Sequence, residues 1–151
     1  MDTIRPLMLP DSVAKRDLLW AEHKTPPNYA AYGDQFLKEG WLADAAEFFG
    51  RADSEAKLRE VLKLAVREGD ASLVGRLAQI RAGLVAVPDW SECAREAERL
   101  EKWSYARVAW EKAGDAEKAA GARARALVAL GYTIQKAVTN ESGAPGNNPA
   151  P

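Results

Sequence analysis

Apolar and small side chains recur through most of this chain at intervals of three and four residues, the spacing of an amphipathic helix. Two of the clearest stripes are Ala45-Phe48-Phe49-Ala52 and Leu58-Val61-Leu62-Ala65. Glycine follows several stripes, at Gly40, Gly69 and Gly114, where the end of a helix needs a left-handed residue. The pattern therefore predicts a series of helices separated by short turns.

Capping residues precede the stripes and mark where each helix begins, because Asp, Asn and Ser accept hydrogen bonds from free backbone N–H groups. The predicted caps are Asp11 or Ser12, Asn28, Asp53 or Ser54, Asp70, Asp89 and Asp115. We expect seven to nine helices of about 10–20 residues, joined by loops of roughly two to six, so that sequential neighbours run antiparallel. The first predicted helix runs to about His23, and the last runs to about Val138.

The same pattern divides the chain into three regions. Residues 1–27 are predicted to be an N-terminal extended segment with a capping helix, and residues 28–138 an all-helical domain. Residues 139–151 combine Asn, Gly, Ser and Pro with no apolar anchor, which is typical of a disordered tail.

Composition favours helices over sheets. The 151 residues include 29 alanines, whereas Val, Ile and Thr number only 9, 3 and 4. Alanine has the highest helix propensity and β-branched residues suit strands, so the predicted fold class is all-α rather than a β-sandwich or a doubly wound sheet. Lys and Arg number 21 and Asp and Glu 22, for a net charge of −1. This balance argues against a general nucleic-acid binder, which carries a basic excess.

The chain offers no set of side chains suited to catalysis or metal binding. Cys93 is the single cysteine and His23 the single histidine, far apart along the chain, so an intrachain disulfide is excluded and a Cys–His pair is not expected. Cys93 lies among Ala94 and Ala97 at helical spacing, where a buried core residue is expected. Zinc needs three or four converging ligands, and no glycine-rich phosphate loop is present. We therefore expect no enzyme activity, no metal and no cofactor.

The expected compartment follows from the N-terminus and the apolar content. Asp2, Pro6 and Pro10 interrupt the N-terminal segment, which lacks the basic and apolar regions of a signal peptide. No apolar stretch approaches the ~20 residues that span a bilayer. These features, with the lone cysteine, predict a soluble cytoplasmic protein.

A helical hairpin pattern appears twice in the chain, and the two copies align without a gap. The aligned sets are Gly33-Phe36-Ala45-Phe49-Ala52 and Ala94-Ala97-Ala106-Trp110-Ala113. Small residues at these positions allow two helix backbones to approach each other, and the aromatic residue fills the space between hairpins. The repetition predicts stacked helical hairpins.

At these residues the chain resembles the tetratricopeptide repeat family, whose pattern is W-x2-L-G-x2-Y followed by A-x3-F and a small residue. Gly33 and Ala45 keep the interval that this family has between its glycine and its alanine. Tyr32 occupies the position before the glycine, and Trp90 supplies the leading tryptophan of the second unit. The resemblance implies a short solenoid of antiparallel hairpins.

The resemblance covers residues 28–54 and 89–115 and is degenerate. Lys57 and Lys118 stand where the family has proline, and the segment of about 54–84 between the two units does not follow the pattern. The alternative is an irregular α-helical bundle whose packing converged on similar residues.

The family resemblance implies a scaffold that binds a protein or peptide in a groove lined by the first helix of each hairpin. The implied groove residues are Asp34, Leu37, Lys38, Ser91, Arg95, Glu98 and Arg99. Trp41, at a hairpin bend, is a candidate exposed anchor. Asp34 stands where family members that clamp a terminal carboxylate have asparagine, so we expect no such clamp. The leading hypothesis is a non-catalytic cytoplasmic adaptor that binds a protein partner or self-associates.

The alternative hypothesis is a helical repeat that contacts RNA through a basic face within residues 57–81. Its candidate residues are Arg59, Lys63, Arg67, Arg76 and Arg81. Glu60 and Glu68 interrupt this face, and no aromatic side chain interleaves it for base stacking. Nucleic acid is therefore the less favoured partner.

Overall fold

A computed structural model describes residues 8–131, which form eight α-helices and no strand. The helices are α1 Ser12–Trp20, α2 Tyr29–Lys38, α3 Leu42–Arg51, α4 Glu55–Arg67, α5 Ala71–Ile80, α6 Val87–Arg99, α7 Trp103–Ala113 and α8 Ala116–Ala129. The predicted all-α class is confirmed. The predicted extension of the last helix over residues 132–138 and the predicted tail at 139–151 lie outside the described residues.

Side-chain caps begin four of the helices as the sequence predicts. The carboxylate or amide oxygens of Asp11, Asn28, Asp70 and Asp115 accept hydrogen bonds at 2.8–3.1 Å from the backbone N–H three residues later. Each bond satisfies one of the free donors at a helix start. Ser54 is the N-cap of α4 but makes no such side-chain bond.

The prediction that Asp89 caps α6 is wrong. The helix begins two residues earlier, at Val87, and Asp89 lies in its first turn, where Oδ2 accepts a hydrogen bond from the Ala86 N–H at 2.8 Å. Pro88 is compatible with this start because the first turn of a helix needs no N–H from that residue. The helix therefore extends through a proline that the sequence pattern places outside it.

Five of the connections use one type of turn, in which a residue with positive φ reverses the chain after the helix. Gly40, Gly69 and Gly114 occupy this position after α2, α4 and α7, whereas Asp53 and Glu101 occupy it after α3 and α6. In each turn the residues that follow the helix donate backbone hydrogen bonds to its last carbonyls.

The helices stack as three hairpins, α2/α3, α4/α5 and α6/α7, with α8 packed against α7. Alternate helices also touch: α1 packs on α3, α3 on α5, α5 on α7, and α4 on α6. We call α1, α3, α5 and α7 the odd row and α2, α4 and α6 the even row. An ion pair between Asp34 and Lys57, 3.0 Å apart, links α2 to α4 in the even row.

The N-terminal helix extends the odd row. Near one end of α1, Lys15 pairs with Asp44 of α3, and at the other end the Arg51 guanidinium lies 4.2 Å from the ring centre of Trp20. These two contacts show that α1 runs parallel to α3. Helix α1 therefore packs beside α3 at the end of the odd row, and its Lys15 Nζ also lies 5.9 Å from the ring centre of Phe36 on α2.

Small residues mark the places where helices cross closely. A Cβ on Gly33 would lie 2.5 Å from ring atoms of Phe49, which is fully buried. The repeated alanines behave in the same way, since Ala45, Ala94, Ala97 and Ala106 are fully buried, whereas Ala52 and Ala113 are only partly buried. The close approach that the repeat predicts is therefore present at most of these positions.

The segment predicted to be degenerate forms the central hairpin, α4/α5. Leu62 and Val74 are both buried and keep the same interval along the chain as Gly33 and Ala45 in the first hairpin. Along the sequence, Leu62 is nearer to Gly33 than to Ala94, so the three hairpins do not repeat at a constant interval. The stack therefore has three consecutive hairpins, and the central one is the helix pair that lies between the two aligned units.

Candidate functional site

The predicted groove residues fall on two helices that are not neighbours in the even row. Asp34, Leu37 and Lys38 lie on α2, and Ser91, Arg95, Glu98 and Arg99 lie on α6. Helix α4 stands between them, because it pairs with α2 through Lys57 and packs against α6. Any partner that contacts both predicted sets must therefore cross α4.

On α2, one of the three predicted side chains is exposed and without an ion pair. Asp34 pairs with Lys57, and this hydrogen bond, with the Asp34 charge, raises the pKa of Lys57. Leu37 is partly buried against the core, whereas Lys38 is exposed. Because Lys57 compensates the Asp34 charge, repulsion by Asp34 is a weaker reason against a carboxylate clamp than the sequence suggests.

On α6, three of the four predicted side chains are engaged within the molecule. Ser91 Oγ donates to the Val87 carbonyl at 3.3 Å, and Arg99 pairs with Glu96 at 2.8 Å. Glu98 accepts a hydrogen bond at 2.8 Å from the indole Nε1 of Trp110 and thereby orients that buried ring. Arg95 is exposed and is the member of this set best placed to meet a partner.

Trp41 is 59% exposed at the bend between α2 and α3. The partial exposure predicted from its position is present. Trp20 at the end of α1 is similarly exposed, at 66%, but one face of its ring is covered by Arg51. Trp41 is the N-cap residue of α3 and directly follows the turn that ends α2, so it lies where the two rows meet.

A crevice of about 260 Å³ opens between α4 and α6. One wall is a basic stripe on α4, formed by Arg59, Lys63 and Arg67 at successive turns of the helix. The other wall carries Asp89 and Glu92 of α6. The nearly buried side chains of α4 that form its floor are Leu62 and Val66.

No ion pair closes the crevice between its described walls, although these carry opposite charges. Arg59 pairs instead with Glu55 on its own helix at 2.7 Å, and Asp89 accepts the capping bond from Ala86. Within residues 8–131, Lys63 and Arg67 have no carboxylate partner within 4.0 Å. The two walls are therefore far enough apart to leave space between them.

The basic face proposed for RNA is not continuous. Arg76 on α5 pairs with Glu47, whose hydrogen bond raises the pKa of the guanidinium. Arg81 pairs with Asp53 at 2.6 Å and with Glu55 at 3.1 Å. With Arg59, three of the five candidate cations are thus paired with carboxylates, and the unpaired charge of this set is confined to Lys63 and Arg67 on α4.

Two further features of the described residues are an apolar cleft and a buried cysteine. A cleft of about 370 Å³ between α7 and α8 is mainly apolar and is walled by Trp103, Tyr105 and Leu130. Cys93 is fully buried, and loss of solvation raises the pKa of its thiol to about 11. The prediction that Cys93 is a core residue is confirmed. In the described part of the chain, no three His, Cys, Asp or Glu side chains are grouped for a metal ion.

None of the helices between residues 8 and 131 has the length and apolar character needed to cross a bilayer.

Comparison of the chain with protein-family models, with curated proteins and with solved structures finds no match. The geometry of the even row is therefore the basis for assigning a role.

Proposed function

We propose that this protein is a non-catalytic, tetratricopeptide-like scaffold that binds a segment of a protein partner along its even row. The observation that carries the proposal is the open crevice between α4 and α6, whose walls hold unpaired charge on a rigid helical frame. Sites on helices hold side chains in place more firmly than sites on loops. The proposed role is that of a cytoplasmic adaptor.

The distribution of ion pairs supports the even row as the binding surface. On the odd row, successive helices are joined by pairs such as Arg76–Glu47, and the adjoining turns by Arg81–Asp53, which leave few charges free. On the even row, Lys63, Arg67 and Arg95 lack such partners among the described residues. Charges that are complementary to a partner guide its approach and its register more than they add affinity.

RNA binding is the second candidate, supported by the basic stripe of α4. The charge is confined to one helix, and two carboxylates face it across the crevice. A phosphate backbone would meet Asp89 and Glu92 as well as the cations, so the face favours a chain of mixed charge over a polyanion. Binding to RNA that falls steeply with salt would support this second candidate.

The proposal is tested by reversing charge on the crevice and, separately, away from it. The variant Lys63→Glu/Arg67→Glu and the control Lys24→Glu/Lys112→Glu change the net charge equally, and all four residues are exposed. Each protein is immobilised and incubated with extract of the native cell, and captured proteins are quantified by mass spectrometry. We expect a protein captured by the wild type and the control to be lost from the crevice variant.

The capture experiment refutes the proposal if wild type, control and crevice variant retain the same proteins in the same amounts. Far-ultraviolet circular dichroism of each variant establishes that the helices are intact. Loss of capture by the control as well as the crevice variant would also refute it, because the effect would then come from net charge rather than from the crevice.

A further inference from the structure

We propose that the crevice between α4 and α6 takes an extended segment of a partner that carries acidic side chains at alternate positions. This inference rests on the proposed function and specifies the chemistry of the partner. It follows from two properties of the crevice: the interval between the cations of α4 and the opposite charge of the facing wall.

The interval between cations fits an extended chain. Arg59, Lys63 and Arg67 are four residues apart, and a helix rises 1.5 Å per residue, so their positions step along α4 by about 6 Å. Alternate side chains of an extended strand point the same way and are separated by about 6.7 Å. The two intervals differ by less than about 1 Å, which long Lys and Arg side chains accommodate. Carboxylates at positions i and i+2 of a segment along α4 therefore meet Lys63 and Arg67, the two cations of the stripe that have no ion pair within residues 8–131, whereas Arg59 is held by Glu55.

The facing wall determines what the other side chains of the segment are. In an extended strand the intervening side chains point in the opposite direction, toward Asp89 and Glu92 of α6. Glu92 is exposed and, within residues 8–131, has no ion pair. Basic or hydrogen-bond-donating side chains are favoured there, and acidic ones are repelled. An alternating acidic and basic segment satisfies both walls, whereas a run of consecutive acidic residues satisfies one and opposes the other.

The floor of the crevice limits how tightly such a segment is held. Leu62 and Val66 are only 5% and 6% exposed, so little apolar surface is available for burial. Binding therefore depends on exposed charge pairs, which are individually weak and are screened by salt. We expect a modest affinity that decreases as the ionic strength rises.

The test compares two fluorescein-labelled peptides of the same composition by fluorescence anisotropy at low salt. The alternating probe is Gly-Glu-Lys-Glu-Lys-Glu-Gly, and the block probe is Gly-Glu-Glu-Glu-Lys-Lys-Gly. We expect the alternating probe to bind up to about fivefold more tightly, since it forms one more exposed ion pair. Lys63→Ala and Arg67→Ala should each weaken the alternating probe, whereas Lys112→Ala on the odd row should leave its affinity unchanged.

Glu92→Gln provides an independent check on the facing wall. This variant should reduce the preference for the alternating probe over the block probe without removing binding to the α4 stripe. Equal affinity for the two probes, or no binding of either, overturns the inference about the partner's chemistry. That failure is distinguishable from failure of the proposed function, because the charge-reversal capture experiment would still separate the crevice variant from its control.

Discussion

Replacing Gly33 by alanine tests the close approach of α2 and α3. The added Cβ would lie 2.5 Å from Cδ1 and Cε1 of Phe49, nearer than atoms can stand without a shift. Phe49 is fully buried, and its rigid ring has little room to move. Overpacking of this kind costs about 1–3 kcal/mol. The higher helix propensity of alanine offsets roughly 1 kcal/mol of that cost. The expected net change is a loss of about 0–2 kcal/mol in the free energy of unfolding.

The matched control is the same substitution at Gly121, in the interior of α8. A Cβ there has no heavy atom within 4 Å outside its own neighbourhood. The higher helix propensity of alanine is then the main effect of the substitution, and Gly121→Ala should stabilise the protein by up to about 1 kcal/mol. The difference between the two variants isolates the packing cost, which we expect to be about 1–3 kcal/mol.

The assay is urea unfolding of both variants and the wild type, followed by circular dichroism at the helical band. The midpoint and slope together give the change in stability. If Gly33→Ala stabilises the protein as much as Gly121→Ala does, α2 is not packed closely against Phe49, and the expected packing cost is refuted. A double variant, Gly33→Ala/Phe49→Leu, should show a favourable coupling, because a smaller side chain gives the new methyl group space.

Four further predictions concern single positions. Gly69 has φ +60°, and its Cβ would lie 2.6 Å from backbone atoms of Ala97, so Gly69→Ala should cost more than about 2 kcal/mol by thermal unfolding. Glu101→Gly should raise the unfolding temperature, with a gain of up to about 1 kcal/mol, because Glu101 has φ 58°. Asp70→Ala should cost about 1 kcal/mol in the same assay through loss of the cap on α5, and Asp70→Asn should restore most of it. Cys93, whose thiol pKa is raised to about 11, should resist thiol reagents at pH 8 until the protein unfolds. Burial of the neutral thiol stabilises the folded state fully below the pKa that the thiol has in the unfolded chain, and this stabilisation is lost as the pH rises through 11. Rapid labelling of native protein, or stability unchanged by the other substitutions, would contradict these expectations.

Local chemistry accounts for the features that the sequence predicts correctly. The caps at Asp11, Asn28, Asp70 and Asp115 and the glycine turns depend on residues within a few positions of one another, so the sequence contains everything that determines them. Two predicted caps differ. Ser54 begins α4 without a side-chain bond, and α6 begins before Asp89, whose carboxylate accepts a hydrogen bond from the Ala86 N–H.

Tertiary contacts determine the features that the sequence did not show. Leu62 occupies the position in the central hairpin that Gly33 occupies in the first hairpin. The two residue types differ, and the packing of α4 against α3 and α6 shows that their positions are equivalent. Tertiary contacts also determine which charges of the candidate site are available. The pattern predicts which helices carry cations, but pairing between residues distant in the chain, such as Arg76 and Glu47, decides which of them remain available. The crevice on α4 was therefore visible in the sequence only as part of a longer basic stretch.

The central hairpin also determines how cooperatively the molecule unfolds. The first hairpin, with α1, spans residues 12–51, and the last, with α8, spans residues 87–129. The principal contacts between these two halves run through α4 and α5. Each half has about 40 residues between its first and last described helix, close to the size below which a domain is rarely stable without metals, disulfides or association. We therefore expect that neither half persists once α4/α5 opens, so that the stack melts in a single transition although its contacts are only between neighbours.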